Sequence, residues 1–167
     1  MTVRDVLRYP HPSLKQVARP VRADDSALAN KIADDLVDTM RANRGCVGLA
    51  APQLGDALRL VAVDVSEHPR ATRHHDLLVL VNPRVVLASG SEVAREGCLS
   101  IPELTANVRR ATEIVVEAST PDGDRRAIEA EGFEARCLQH EIDHLDGILF
   151  LDRVDSLKTD VFRRKRS

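Results

Sequence analysis

The sequence predicts an α+β domain in which antiparallel or mixed sheets surround a central metal-binding helix, with a second helix near the N-terminus. Three observations carry that expectation. Strand-like runs follow one another with helical segments on either side, unlike the one-by-one alternation of a parallel βαβ fold. The chain has 167 residues, enough for one substantial core and too few for two comfortable ones. A helical stretch at 137–147 reads CLQHEIDHLDG, with two histidines four apart and a glutamate beside the first. Residues 1–167 are therefore taken as one domain, with about 152–167 as a C-terminal extension ending in a basic tail.

The elements follow in order. Residues 1–23 read as irregular, punctuated by Pro10, Pro12 and Pro20. A helix is expected from Asp25 to Asn43, where Leu28, Ile32, Leu36 and Met40 recur every four residues and Val37 widens the stripe. Asp24, Asp25 or Ser26 can cap it, and Gly45 can stop it. Ala50 to Gly55 reads as a loop. The runs LRLVAVDV (58–65), LLVLVNPRVVL (77–87) and TEIVVEAS (112–119) read as strands. TPDGD (120–124) is a turn, since proline presets φ and glycine accepts positive φ; it leads into a short strand near 125–130 and so predicts a hairpin. Glu131 to Asp146 has helical spacing, with Phe133, Cys137, Leu138, Ile142 and Leu145 on its apolar side and Gly147 at its end.

Composition narrows the function. The net charge is −2, which argues against a dedicated nucleic-acid binder, so no DNA partner is expected. No apolar run approaches the roughly 20 residues of a membrane span, and the first residues lack the apolar centre of a signal peptide. Cys46, Cys98 and Cys137 are a sparse, odd set, consistent with reduced thiols. A cytoplasmic protein with no membrane partner is expected.

On a helix, His140 and His144 lie one turn apart on one face and can close on one ion. Two imidazoles need a third ligand. One protease pattern places a histidine ten residues after the first, where this chain has Phe150; another needs a downstream glutamate, and none follows Glu141. Cys137 lies about 10 Å along the helix axis from His144, poorly placed to share an ion, and reads as a small core residue. His11, His68, His74 and His75 sit in proline-rich or charged stretches and read as surface residues. Cys46 and Cys98 remain. EGCLSIPE (96–103) reads as a shaped loop, with Gly97 allowing close approach and Pro102 stiffening the exit, which favours Cys98; a buried thiol is the ordinary alternative.

Three stretches in order, VGLAAPQLG (47–55), EGCLSIPE (96–103) and QHEIDHLDG (139–147), resemble the peptide deformylase family, as does the opening VLRYPHPSLKQVARPV. The resemblance implies Cys98, His140 and His144 as metal ligands and Fe²⁺ as the native ion, with Zn²⁺ or another divalent ion able to occupy the site. It implies removal of formyl from N-formylmethionyl peptides, with Glu141 as general base and then proton donor to the leaving amine. Gln53, through its side-chain amide, and Leu99, through its backbone N–H, would stabilise the oxyanion. Val47, Gly48, Leu49 and Gly97 would bind substrate, the peptide pairing with the chain as an added strand. Glu96 and Arg110 would form an ion pair holding the cysteine loop.

Some positions depart from the family pattern. Cys46 stands where the first motif usually begins with glycine, so a side chain there would narrow the cleft or point away. Thr105 and Arg109 stand where many bacterial members have arginine and proline; Arg109 is a candidate replacement for the grip on the peptide backbone. The tail FRRKRS (162–167) reads ordinarily as a solvated, frayed end, and more sharply as a weak ribosome contact. Two rival readings stay in view: a deformylase-like hydrolase of another small amide, and a metal-binding, ribosome-associated protein without turnover.

Overall fold

Both expected helices are present in the computed structural model, which describes residues 2–165: α1 spans Ser26–Ala42 and α2 spans Gly132–Leu145. A five-stranded sheet contains β1 (Gly48–Ala50), β2 (Leu60–Val63), β3 (Leu78–Ser89), β6 (Glu113–Ser119) and β7 (Arg125–Glu131), in that spatial order. A three-stranded sheet contains β4 (Glu92–Cys98), β5 (Ile101–Arg110) and β8 (Val161–Arg163). All strand pairs in both sheets are antiparallel. The α+β class stands, and the mixed-sheet alternative does not. Among the described residues, no helix is long and apolar enough to cross a membrane.

Strand β2 shows why its sequence is apolar throughout. All four of its residues are buried, because the sheet is covered on both faces. Val61 and Val63 join Leu80, Val116 and Ile128 in a core beneath Leu138, Ile142 and Leu145 of α2. Leu60 and Ala62 face the other way, onto Ile32, Leu36 and Met40 of α1. Each fully buried aliphatic side chain contributes about 1.5–3 kcal/mol, so the two cores hold α1 and α2 on opposite faces of one sheet. The second sheet covers the remaining side of α2, where Cys98, Ile101, Val108 and Phe150 form a third cluster.

The α1 stripe is rotated from its expected position. Leu28 is 46% exposed, while Ala29 and Ala33 are buried beside Ile32, Leu36 and Met40. A strict four-residue repeat drifts by about 40° per step around a helix of 3.6 residues per turn, so its first member leaves the buried face. Asp25 occupies the N-cap without capping through its side chain; that carboxylate takes the Arg22 backbone N–H and the Arg19 guanidinium instead. At the other end, the Asn43 amide donates to the Thr39 carbonyl, and the helix closes before Gly45.

Two loop readings are corrected. Ala50 is the end of β1, and Ala51–Leu54 forms a single 3₁₀ turn, a strand too short to show against the proline that follows. EGCLSIPE is a hairpin rather than a loop: Cys98 ends β4, Ile101 begins β5, and Leu99 and Ser100 make the turn. The predicted TPDGD hairpin joins β6 to β7. The N-terminal segment, though irregular, is tied down. Arg4 bonds Asp35, Asp56 and the Leu54 carbonyl, and the Ala18 N–H donates to Leu145 at the end of α2. Gly147 just beyond α2 has φ +71°, and a Cβ there would lie 2.6 Å from the Lys15 carbonyl oxygen, so this approach admits only glycine.

Candidate metal centre

Most of α2 is buried, from Glu134 through Leu145 with Gln139 as the exception. A helix closed in on all sides must find a partner for each polar side chain, since a buried unpaired group costs free energy of desolvation. Nearly every one does. The two side-chain atoms of the chain that are buried without a partner are Glu141 Oε1 and His144 Nδ1, among the described residues.

Cys98, His140 and His144 converge. One candidate ligand atom from each lies within 4.8 Å of the others, and the Cys98 Sγ to His144 Nε2 distance is 3.4 Å. All three residues are buried. The helix supplies the two imidazoles one turn apart, and the end of β4 supplies the thiol from across the gap. Cys137 is buried in the apolar core, as expected, and Cys46 is outside the cluster. Burial and the nearby His140 charge push His144 well below the usual histidine range, which favours its neutral imidazole. Burial opposes protonation of His140 too, but Cys98, Glu141 and Glu96 outweigh it and raise that group.

Behind the cluster stands a charged network. His140 Nδ1 lies 2.8 Å from Glu96 Oε1, which leaves Nε2 to face an ion. Arg110 grips Glu96 with two bonds of 2.9 and 3.0 Å, the expected ion pair. The network extends further than the sequence suggested. Arg136 donates to Glu96 at 2.7 Å and to the Val108 and Glu92 carbonyls, while Arg110 and Arg153 both donate to Asp143. Burial works against ionisation of Glu96, yet His140 and Arg110 overcome it and hold the carboxyl far below its ordinary range. Glu96 is thus a fixed anion that orients His140.

Glu141 has the opposite environment. Burial raises its carboxyl to about 7, only partly offset by the His140 charge. It packs against the backbone of Gly48, where a Cβ would lie 2.7 Å from Oε2. Gln53 is also buried; its Nε2 donates to Ser100 Oγ at 3.1 Å and reaches Cys98 Sγ at 3.5 Å, and its Oε1 accepts from the Ala50 N–H.

These groups border a cleft of about 260 Å³. Val47, Gly48, Gln53, Gly97, Leu99 and Glu141 all line it, so most of the expected site residues meet in one place. Leu49 is the exception: its side chain is fully buried against α1, because the alternation of β1 turns it away from the cleft. β1 is the outer strand of its sheet. The Val47 carbonyl accepts from the Asp64 N–H on the β2 side, so alternation directs the N–H and C=O of Gly48 to the free side.

Three further readings change, and Cys46 takes the first of its two expected placements. His68 is no ordinary surface residue: it stacks on Phe133 at 4.1 Å and forms part of the cleft wall. Cys46 lies in the wall, its thiol donating to the Gly48 carbonyl at 3.2 Å; burial and the Glu141 charge push that thiol up to about 12. Arg109 is not at the cleft. It pairs with Asp155 on the far side, and Thr105 instead accepts from Arg95. The tail is not simply frayed, since Val161–Arg163 form β8 against β5; Arg166 and Ser167 lie outside the described residues.

A buried thiol and two helix imidazoles at the floor of a cleft that Cys98, His140 and the adjacent Glu141 line define the site of a metal-dependent hydrolase. The comparisons agree. The polypeptide deformylase family model matches residues 3–160. A peptide deformylase from Desulfosudis oleivorans is 46% identical over 166 residues, 99% of this chain and 93% of that protein. One from Syntrophobacter fumaroxidans is 44% identical, covering 99% of this chain and 94% of its own. A solved peptide deformylase from Legionella pneumophila superposes with a TM-score of 0.84 at 39% identity, covering 94% of this chain and 89% of that one. The Met-Ala-Ser-bound class I type b enzyme from Acinetobacter baumannii gives 0.85 at 35% identity, covering 92% and 100%. The chain belongs to the peptide deformylase family, hydrolases that remove the N-formyl group from nascent chains.

Proposed function

We propose that this chain acts in the cytoplasm on N-formylmethionyl peptides, with Fe²⁺ as its native ion held by Cys98, His140 and His144. The observation that carries the reading is the orphaned Glu141 Oε1, buried beside the ligand cluster with no partner of its own. A structural metal site needs no base there, which disfavours a binding protein without turnover. The donor set fits a divalent ion: a thiol and two imidazoles within 4.8 Å, with His140 oriented by Glu96. When bound, that ion would supply Lewis-acid polarisation of the formyl carbonyl and make water in the cleft more acidic.

The protein's own groups do the rest. Glu141 takes the proton of the attacking water and returns it to the departing amine nitrogen, a role suited to a carboxyl raised to about 7. As negative charge builds on the formyl oxygen, Gln53 Nε2 and the Leu99 N–H donate to it. The free edge at Gly48 pairs with the extended peptide, Val47 and Gly97 flank it, and Phe133 and Cys137 offer an apolar wall for methionine. The formyl carbon bears only hydrogen, so a close-fitting wall admits it and rejects an acetyl methyl. The basic tail supports a weak, salt-sensitive ribosome contact. Unchanged ribosome pelleting at low salt after removal of residues 164–167 would dispose of that part.

The test is anaerobic purification, metal analysis and formate release from formyl-Met-Ala-Ser. Wild type is expected to retain iron and release formate. Glu141→Ala is expected to keep its metal while formate release falls by about 10²- to 10⁴-fold. A wild-type protein inert on this peptide, or a variant as active as wild type, would overturn the assignment. Equal turnover by iron- and zinc-loaded protein would remove the preference for iron.

A further inference from the structure

The mouth of the cleft carries a charge pattern that the chemistry described so far does not use. Arg44, Arg70, Arg95 and Arg164 line it, and all four are exposed. The buried arginines behind the cleft are spent on carboxylates: Arg136 on Glu96, and Arg110 on Glu96 and Asp143. No mouth arginine has a carboxylate within salt-bridge distance among the described residues. In a chain of net charge −2, four unpaired guanidiniums at one opening are a local reversal of sign.

These side chains are placed, not merely near. Gly97, Thr105 and Phe162 are register partners across β4, β5 and β8, and Arg95 and Arg164 lie two residues from Gly97 and Phe162 on that same face. Arg95 stacks 3.8 Å over the Phe162 ring and donates to Asn107 Oδ1 and Thr105 Oγ1, each at 3.2 Å. Arg164 is tethered through its N–H to the Glu103 carbonyl, and its guanidinium rests against Gly97, the neighbour of Cys98. Arg70 donates to the Arg95 carbonyl and lies 4.8 Å over the Phe133 ring. Stacking and neutral acceptors orient these cations without neutralising them.

We infer that Arg95, Arg164 and Arg70 form an anion subsite at the cleft mouth, which selects formyl peptides carrying acidic side chains downstream of the methionine. The inference rests on the deformylase reading and adds a substrate class to it. A peptide paired along Gly48 with its formyl end at Cys98 must leave the cleft past this mouth. Its next side chains then meet the arginines, where a carboxylate gains from charge and bidentate geometry and an ammonium is repelled.

The experiment compares kcat/KM for formyl-Met-Ala-Asp-Glu, formyl-Met-Ala-Asn-Gln and formyl-Met-Ala-Lys-Lys at 20 mM and 500 mM NaCl. At low salt the acidic peptide is expected to exceed the neutral one by about fivefold, mainly through KM, and the advantage should shrink at high salt. Arg164→Gln and Arg95→Gln should each reduce the acidic-to-neutral ratio. That ratio is the readout, and the salt series on wild type stands even if a variant folds poorly. A ratio of one in wild type, or a preference untouched by salt and by both substitutions, overturns the subsite. Weakened ribosome pelleting with an unchanged ratio also overturns it, since the cations would then face RNA. Failure to release formate from the neutral peptide as well would instead count against the deformylase reading.

Discussion

Gly48 and Glu141 occupy one shared space: the missing side chain of the first leaves room for the carboxylate of the second. A Cβ at residue 48 would lie 2.7 Å from Glu141 Oε2 and 2.9 Å from its Cγ. The close approach lets a buried acid sit beside the outer strand of the sheet, so that on the proposed reading the base and the substrate backbone are set by the same contact.

Gly48→Ala is therefore expected to displace the Glu141 carboxylate while the metal ligands keep their places. A shift of about 1 Å in a catalytic group costs on the order of 10²-fold in rate, and kcat/KM should fall by that much with metal content unchanged. Formate release together with metal analysis of the purified variant checks it. Wild-type turnover would mean that Glu141 reaches its position independently of Gly48.

The Glu96 network separates two losses. Glu96→Ala removes the partner of His140 Nδ1, and metal affinity should fall by about 10- to 100-fold, read by competition with a chelator. Arg136→Met leaves the Glu96–His140 and Glu96–Arg110 contacts but strips donors from the Val108 and Glu92 carbonyls. Breaking such a buried pair costs about 3 kcal/mol or more, so urea unfolding should show a clear stability loss with a smaller change in metal affinity. Equal metal affinity in Glu96→Ala and wild type would remove Glu96 from the role of orienting His140.

The proposed ligands and base were legible because each is written in local spacing or a motif. His140 and His144 share a helix face, and Cys98 sits in a stretch matched by the family. What surrounds them was not. Arg136 lies on α2 among apolar residues, and only the packing of β4 and β5 over that helix shows that its charge is buried and satisfied. β4 and β5 were hidden by their own composition, since the charged Glu96 and Arg110 stand at inward positions and Val93 at an outward one, against the alternation that marks a half-buried strand. The inward turn of the Leu49 side chain was not legible because a motif names residues without saying which way a strand turns them, and the place of Arg109 was not because its partner, Asp155, is distant in sequence.

Acid stability gives a further prediction away from the metal. The Asp25 carboxyl is lowered to about 2, first by the Arg19 guanidinium and then by the Arg22 N–H. These contacts brace the turn that enters α1, which covers one face of the central sheet. A carboxyl whose folded value lies below its unfolded value binds its proton more readily when unfolded. Its contribution is complete above the unfolded pKa of about 3.9 and is lost as pH falls from there toward the folded value. The gap in urea midpoint between wild type and Asp25→Asn should accordingly be constant above about pH 5, where the carboxyl is ionised in both states. It should narrow below about pH 4 as the proton returns. Urea titrations at pH 7, 5, 4 and 3, with the carboxyl resonance followed by NMR in parallel, measure both quantities. A gap of constant size through pH 3 would show that Asp25 braces the turn by shape alone, with no share from its charge.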